Sequence, residues 1–185
     1  MAAPVGAKWE VLIARIVPAE TSGSTSRIKR ASVPDMPRRE LRHAQQVEDW
    51  LTDVNRRITQ PAKMTLIGSG ALLWHAFQLG VTEPLPENSM DVDPITDSDE
   101  VARLCYEALI GSEFERINGW HVNLMPELVM REFPADWELR ALAKNYGKLL
   151  VVAPSIADLL VPKLRRNEPR DRVHSEWAKQ YLLAP

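Results

Sequence analysis

A short apolar strand that runs directly into a glycine-rich turn and a helix is the feature that most constrains the fold of this chain. Met64–Ile67 predicts a buried strand, Gly68-Ser69-Gly70 follows it at once, and residues 71–79 predict an apolar helix. Glycines let the backbone turn sharply and approach a ligand closely, while the first turn of a helix presents unpaired N–H groups. The unit is typical of a phosphate site, and a tight turn without a ligand explains the same pattern.

A pair of aspartates on the next strand is the second informative feature. Residues 89–93 predict a brief strand, and side chains two apart on a strand project to the same face, so Asp91 and Asp93 share one face. Two carboxylates this close repel each other unless a cation lies between them, and Mg²⁺ prefers such oxygen ligands and binds together with nucleotide phosphates. Acid pairs are common on surfaces, so this pair indicates a metal site only in combination with the glycine turn.

The rest of the chain alternates between helical and extended patterns, which indicates a mixed α+β fold. Apolar residues three and four apart, or helix-capping signals, predict helices over residues 38–59, 97–110, 154–166 and from about 170 onward. A strand is predicted over 148–152, and short helices are predicted over 126–144. Residues 114–117 and 120–124 predict a hairpin whose two-residue turn is Asn118-Gly119.

The first 37 residues differ in character from the rest of the chain. Residues 8–17 predict a short strand, and residues 18–37 are rich in Ser, Thr, Pro and Arg without any periodicity, which predicts a flexible arm. The basic cluster of Arg27, Lys29 and Arg30 either contacts a phosphate backbone or is simply solvated. We therefore divide the chain into an N-terminal strand and arm over 1–37 and a single domain over 38–185.

Composition narrows the class of protein. The chain has 185 residues and a net charge of -2, a balance that argues against coating nucleic acid by bulk charge. Cys105 is the single cysteine, so neither an internal disulfide nor a cysteine metal site is expected. No stretch reaches the roughly 18 apolar residues of a membrane span, and no export signal is evident, so we expect a cytoplasmic protein without membrane contact.

The order of these motifs resembles the core of the nucleotidyltransferase superfamily, which has the polymerase-beta-like fold. The likeness is nearest to the abortive-infection and uncharacterised bacterial nucleotidyltransferase-like proteins. Their turn motif matches Gly68-Ser69-Gly70-Ala71, and Ser89 stands two residues before the first aspartate, as a Thr or Ser does there. Lys163-Leu164 and Arg170-Asp171 match their C-terminal motifs, so the resemblance covers about residues 62–183.

The resemblance implies a nucleotidyltransferase-like mixed sheet flanked by helices. It also implies Mg²⁺-dependent transfer of a nucleoside monophosphate from a nucleoside triphosphate (NTP) to a protein, an RNA or a small-molecule acceptor, and it suggests a role in toxin–antitoxin or phage-defence systems. The implied roles are phosphate binding by Gly68, Ser69, Gly70 and Lys163, and catalysis and Mg²⁺ binding by Asp91 and Asp93.

Two positions depart from the family pattern. The third carboxylate, expected on a later strand, is matched by Asn123, whose neutral amide ligates a metal only weakly and cannot act as a base. Glu87 stands where relatives commonly carry an arginine. His121 lies on the same strand face as Asn123, and it either substitutes in part for the missing third carboxylate or is an ordinary exposed histidine. The alternative function is a catalytically degenerate module that binds a protein or nucleic acid, with the helix over 38–59 as the contact for a protein partner.

Overall fold

The computed structural model of the chain describes residues 40–87 and 89–183. The predicted strand over 8–17, the predicted arm over 18–37 and the predicted domain boundary after residue 37 lie outside these residues, and they stay predictions.

The centre of the domain is a mixed five-stranded sheet with the spatial order β3-β2-β1-β5-β4. Its strands are β1 Ala62–Ile67, β2 Asp91–Ile95, β3 His121–Val122, β4 Leu142–Asn145 and β5 Leu149–Ala153. β1 runs antiparallel to β2 and parallel to β5, β2 runs parallel to β3, and β4 runs antiparallel to β5. The predicted mixed α+β fold is confirmed, as is the prediction that the strands near 63–67, 89–93 and 120–124 lie side by side.

The helices are α1 Ala44–Arg57, α2 Gly68–Leu79, α3 Asp99–Glu107, α4 Glu113–Asn118, α5 Ile156–Arg166 and α6 Pro169–Tyr181. Two 3₁₀ helices, Glu127–Glu132 and Trp137–Arg140, confirm the short helices predicted over 126–144. Serine side chains accept a backbone N–H at the start of three helices: Ser98 before α3, Ser112 before α4 and Ser155 before α5.

Helix α2 lies at the heart of the hydrophobic core. It contacts α1, β1, β2, α5 and α6, and its residues 69–76 are buried, including the whole indole of Trp74. An all-round apolar helix of this kind has to be enclosed by other elements, which agrees with its sequence. Within the described residues, no helix is both long and apolar enough to cross a membrane.

The predicted hairpin over 114–124 is wrong. Residues Glu113–Asn118 form helix α4, whose first turn carries two glutamates and whose N–H of Glu115 is capped by Ser112. Gly119, with φ 75°, ends the helix in the left-handed conformation, so the Asn-Gly pair acts as a helix terminus instead of a hairpin turn. The second half of the prediction survives, because His121–Val122 is a strand; it pairs with β2 and not with residues 114–117.

Several other boundaries differ from prediction. Helix α2 begins at Gly68, so Gly68-Ser69-Gly70 is its first turn and not a separate turn before it, and β2 covers Asp91–Ile95 instead of 89–93. Helix α1 begins at Ala44 and not near residue 38, because Leu41 is extended and its N–H donates to the carbonyl of Ser89 at 3.2 Å. The sequence pattern also missed β4 (Leu142–Asn145). This edge strand is largely exposed, so it shows none of the apolar alternation that signals a half-buried strand.

Candidate functional site

Gly68 is the residue at which β1 passes into α2, and it brings the helix against the acidic strand. Its φ of 67° lies in the left-handed region that favours glycine. A Cβ atom at this position would lie 2.5 Å from Oδ2 of Asp93, so only glycine allows the carboxylate to approach so closely. A Cβ atom on Gly70 would lie 3.2 Å from Cα of Val92, so Gly70 lets the first turn of α2 pack against β2.

Strand β2 presents its two aspartates to a common cavity. Val92 between them is fully buried, while Asp91 and Asp93 point to the opposite face and line the cavity. Oδ1 of Asp93 accepts a hydrogen bond from Nδ2 of Asn123 at 3.1 Å. Asn123, at the position where a third carboxylate was expected, therefore holds the side chain of Asp93 in place.

The pKa of Asp93 is raised because its carboxyl group is buried next to a second carboxylate. Burial, and next the charge of Asp91, raise the pKa of Asp93 to about 6, although the hydrogen bond from Asn123 and the positive charge of Lys163 act in the opposite direction. A carboxylate in this environment favours a proton or a metal ion as its partner.

Lys163 supplies a buried positive charge next to the first turn of α2. Its ammonium group donates to Oγ of Ser69 at 3.0 Å and to Oδ1 of Asp171 at 3.2 Å, and only 4% of its side chain is exposed. Burial lowers the pKa of Lys163, and the charge of Asp171 opposes that shift. The ion pair with Asp171 thus offsets part of the cost of burying this ammonium group.

Asp171 also holds a second cation at the cavity. Arg166 forms two hydrogen bonds with the carboxylate of Asp171, at 3.0 and 2.9 Å, while about half of its side chain remains exposed. Burial opposes the ionisation of Asp171, but the hydrogen bond from Arg166 and the charge of Lys163 outweigh burial and lower its pKa. Arg170, in the first turn of α6, lines the same cavity.

These groups surround one cavity of about 320 Å³. Gly68 abuts Asp93 while Ser69 contacts Lys163, so the first turn of α2 lies between the carboxylates and the cations. A further part of the wall is apolar and is formed by Met125, Val129, Phe133, Leu159 and Pro162. The cavity therefore combines a carboxylate pair, a helix N-terminus, three basic side chains and an apolar surface.

The structure brings most of the predicted site residues together. The cavity is lined by Gly68, Ser69, Asp91, Asp93, Asn123 and Lys163. Gly70 is the exception, since it packs against Val92. His121 is not among the lining residues either, and its Nδ1 lies 3.2 Å from the carboxylate of Glu115.

Sequence reasoning missed Arg166 and His174. Nδ1 of His174 lies 2.9 Å from Oγ of Ser69, and Nε2 lies 3.1 Å from the carbonyl oxygen of Glu87. A signal was present, because Asp171, His174 and Ala178 are spaced three and four apart and share the buried side of α6. Polar residues at core positions of a helix point to a buried network.

The two aspartates fit a magnesium ion that takes its remaining ligands from elsewhere. Mg²⁺ is commonly held by one or two carboxylates, with phosphate oxygens and water completing its coordination, and Asp91 and Asp93 provide the carboxylates. Within 40–87 and 89–183, no group of three or more His, Cys, Asp or Glu side chains could hold a metal ion. Asn123 faces Asp93 with its amide nitrogen, which cannot ligate a metal, so its predicted ligand role requires the amide to turn over.

A sequence profile of a family described as a nucleotidyltransferase of unknown function (DUF6036) matches residues 43–181. This range includes every residue of the cavity. No curated protein and no solved structure matches the chain significantly.

Proposed function

Because this chain belongs to the DUF6036 family of nucleotidyltransferases of unknown function, we propose that its cavity binds a nucleoside triphosphate with Mg²⁺ and transfers the nucleoside monophosphate to an acceptor. The observation that carries this proposal is the junction at the start of α2. There the carboxylate of Asp93 abuts Gly68, and the ammonium of Lys163 abuts Ser69, the next residue. A metal and a polyphosphate require this pairing of opposite charges.

Different residues of the cavity would bind the metal ion and the phosphates. Asp91 and Asp93 would hold Mg²⁺, which when bound neutralises phosphate charge and orients the triphosphate for in-line attack. The N–H groups in the first turn of α2 have no partners within the helix, and they would donate to phosphate oxygens. Lys163 and the guanidinium of Arg166 would add positive charge to the same oxygens.

The reaction follows from the same arrangement. The hydroxyl oxygen of the acceptor attacks the α-phosphorus and forms a new P–O bond, and its proton is released to solvent. The bond from the α-phosphorus to the bridging oxygen breaks, so that pyrophosphate leaves. The cations near Ser69 stabilise the charge that develops on this leaving group. The apolar wall of Met125, Val129 and Phe133 offers a surface for the nucleoside.

One observation favours a second candidate function. Asn123 donates to Asp93 from the place of a third carboxylate, so that position supplies neither an additional anionic ligand nor a base. We therefore retain the alternative that the fold is a catalytically degenerate module that binds a protein or nucleic acid. For a protein partner, the polar face of α1 offers a surface beside a second cavity of about 400 Å³, which is lined in part by Trp50 and Trp120.

Nucleotide binding tests the proposal. Calorimetric titration of ATP, GTP, CTP and UTP, each with Mg²⁺, should reveal binding of at least one, and that nucleotide should raise the Tm because it binds only the folded state. Incubation of the protein and a cell lysate with each α-labelled triphosphate should then transfer label to an acceptor. Binding without transfer would favour the degenerate module, and no binding of any nucleotide would refute the catalytic proposal.

The acceptor class and the biological role extend this proposal. A protein hydroxyl, an RNA end and a small molecule all provide a nucleophilic oxygen, and the labelled product distinguishes them by its sensitivity to protease or ribonuclease. A role in toxin–antitoxin or phage-defence systems follows from the resemblance to abortive-infection proteins alone.

A further inference from the structure

A chain of three buried side chains lies directly behind the phosphate side of the cavity. Oγ of Ser69 is 2.9 Å from Nδ1 of His174 on one side and 3.0 Å from Nζ of Lys163 on the other. His174 is fully buried, and the side chains of Ser69 and Lys163 are nearly so. The chain thus links the first turn of α2 with α5 and α6.

The direction of each hydrogen bond follows from the chemistry of its end groups. The carbonyl oxygen of Glu87 can only accept, so Nε2 of His174 carries the proton and donates to it. In the neutral ring Nδ1 is then an acceptor, and it receives the hydroxyl proton of Ser69. Oγ of Ser69 in turn accepts from the ammonium of Lys163.

This assignment decides what Ser69 can offer a ligand. Its hydroxyl proton is directed to His174, so it is not available to a phosphate oxygen. Lys163 uses two of its three N–H groups on Ser69 and Asp171, and the third is left for a ligand in the cavity that Lys163 lines.

We infer that His174 is a positioning residue that acts through Ser69 to aim the ammonium of Lys163 at the phosphates. The hydroxyl of Ser69 then donates to His174 instead of to the nucleotide. The inference rests on the proposed function, since it assigns the roles of residues in the same nucleotide site. The N–H groups of the α2 backbone and Lys163 then carry the phosphate contacts.

The surroundings of His174 keep its ring neutral, as the chain requires. Burial, and next the charge of Lys163, lower its pKa to about 4; Arg170 acts in the same direction, while the carbonyl of Glu87 and the charge of Asp171 act against it. The direction of the Ser69 hydroxyl therefore persists at neutral pH.

A purely structural role for His174 makes a different prediction. If the ring only braces the loop at Glu87, then its Nε2 contact matters and its Nδ1 contact does not. Two substitutions separate these roles: His174→Asn retains a polar group near the place of Nδ1, and His174→Gln retains one near the place of Nε2.

The test measures binding of the triphosphate that the wild type binds best, with Mg²⁺, by calorimetry. We expect His174→Gln to weaken binding about 10-fold, as the loss of one hydrogen bond predicts, and His174→Asn to stay nearer to the wild type. Ser69→Ala should lose as much as His174→Gln, and the double variant should lose no more, because the two residues act as one chain. Circular dichroism and the Tm verify that each variant folds.

A long-range ¹H–¹⁵N spectrum of the wild type provides a readout that needs no nucleotide. It should show the neutral tautomer of His174 with the proton on Nε2 at pH 7. A proton on Nδ1, or equal affinity of wild type, His174→Gln and Ser69→Ala for the nucleotide, would overturn the inference while leaving the proposed function intact. A wild type that binds no triphosphate would instead overturn the proposed function, and this inference with it.

Discussion

The close approach of Gly68 to Asp93 allows one substitution to test how the site is built. In Gly68→Ala the new Cβ atom would meet Oδ2 of Asp93 at 2.5 Å, well inside van der Waals contact. The alanine would also have to adopt a φ near 67°. Either the carboxylate of Asp93 rotates away or the start of α2 shifts, and each response disturbs the metal side of the cavity.

The size of the effect can be worked out in parts. The left-handed conformation costs alanine roughly 1–2 kcal/mol, offset by roughly 0.4–1 kcal/mol because alanine stiffens the unfolded chain. Rotation of Asp93 would break its hydrogen bond with Asn123, a bond to a charged group that contributes about 1.5–3 kcal/mol. We expect Gly68→Ala to lower the free energy of unfolding by about 2–4 kcal/mol in total.

Gly80 provides a matched control on the same helix. It ends α2 with φ 71°, and a Cβ atom there would meet nothing within 4 Å. Gly80→Ala therefore carries the same conformational cost without the collision, and we expect a loss of about 1 kcal/mol or less.

Urea unfolding of both variants measures the two free energies, and calorimetry measures their affinity for Mg²⁺ and nucleotide. Gly68→Ala should lose far more stability than Gly80→Ala and should bind Mg²⁺-nucleotide at least 10-fold more weakly, in line with a lost contact worth about 1.4 kcal/mol. Equal losses in the two variants, together with unchanged binding, would show that the approach of Asp93 to Gly68 has no energetic consequence.

Three further predictions concern charge in the cavity. Asp93→Asn should abolish Mg²⁺-dependent nucleotide binding. Above pH 6 it should also be more stable than the wild type, because the raised pKa of Asp93 means that the wild type must there fold with a costly ionised carboxylate. This gain should shrink toward pH 4, where Asp93 is protonated in the folded wild type. Urea unfolding at several pH values measures this, and a gain that persists at pH 4 would contradict it. Asn123→Asp should restore a third carboxylate and strengthen Mg²⁺ binding in calorimetry, an outcome that unchanged or weaker affinity would exclude. Arg170→Ala should weaken nucleotide binding, and less so at high salt, whereas Arg172→Ala should not, since Arg172 on the same helix bonds to Asn167; equal effects would remove Arg170 from the site.

Much of the site was predictable because it depends on local sequence. The passage from β1 into α2 at Gly68 and the two aspartates of β2 follow from short-range rules: glycine at a positive φ, free N–H groups at a helix start, and the period of two along a strand. These rules involve neighbours within a few residues, so they hold in almost any tertiary context.

Ambiguous local signals were decided only by the tertiary structure. An Asn-Gly pair permits both a hairpin turn and a helix terminus. At Asn118-Gly119 it ends a helix, because His121 pairs with β2 and not with residues 114–117. Leu41 fits a helical pattern but is extended because Ser89, far along the chain, accepts its N–H. The period of apolar residues does not contain these long-range partners.

The contacts within the hydrogen-bonded network behind the cavity could not be predicted from the sequence at all. Ser69, Lys163 and His174 are separated by up to 105 positions, and no local pattern states that they meet. By itself the sequence determined most of the elements, with α4 and β4 as exceptions, and the residue types available to the site. The packing of α2 against α5 and α6 decided that Ser69 contacts Lys163 and His174. The pairing of β2 with β3 decided that Asn123 contacts Asp93. Both sets of groups come together only when distant parts of the chain pack.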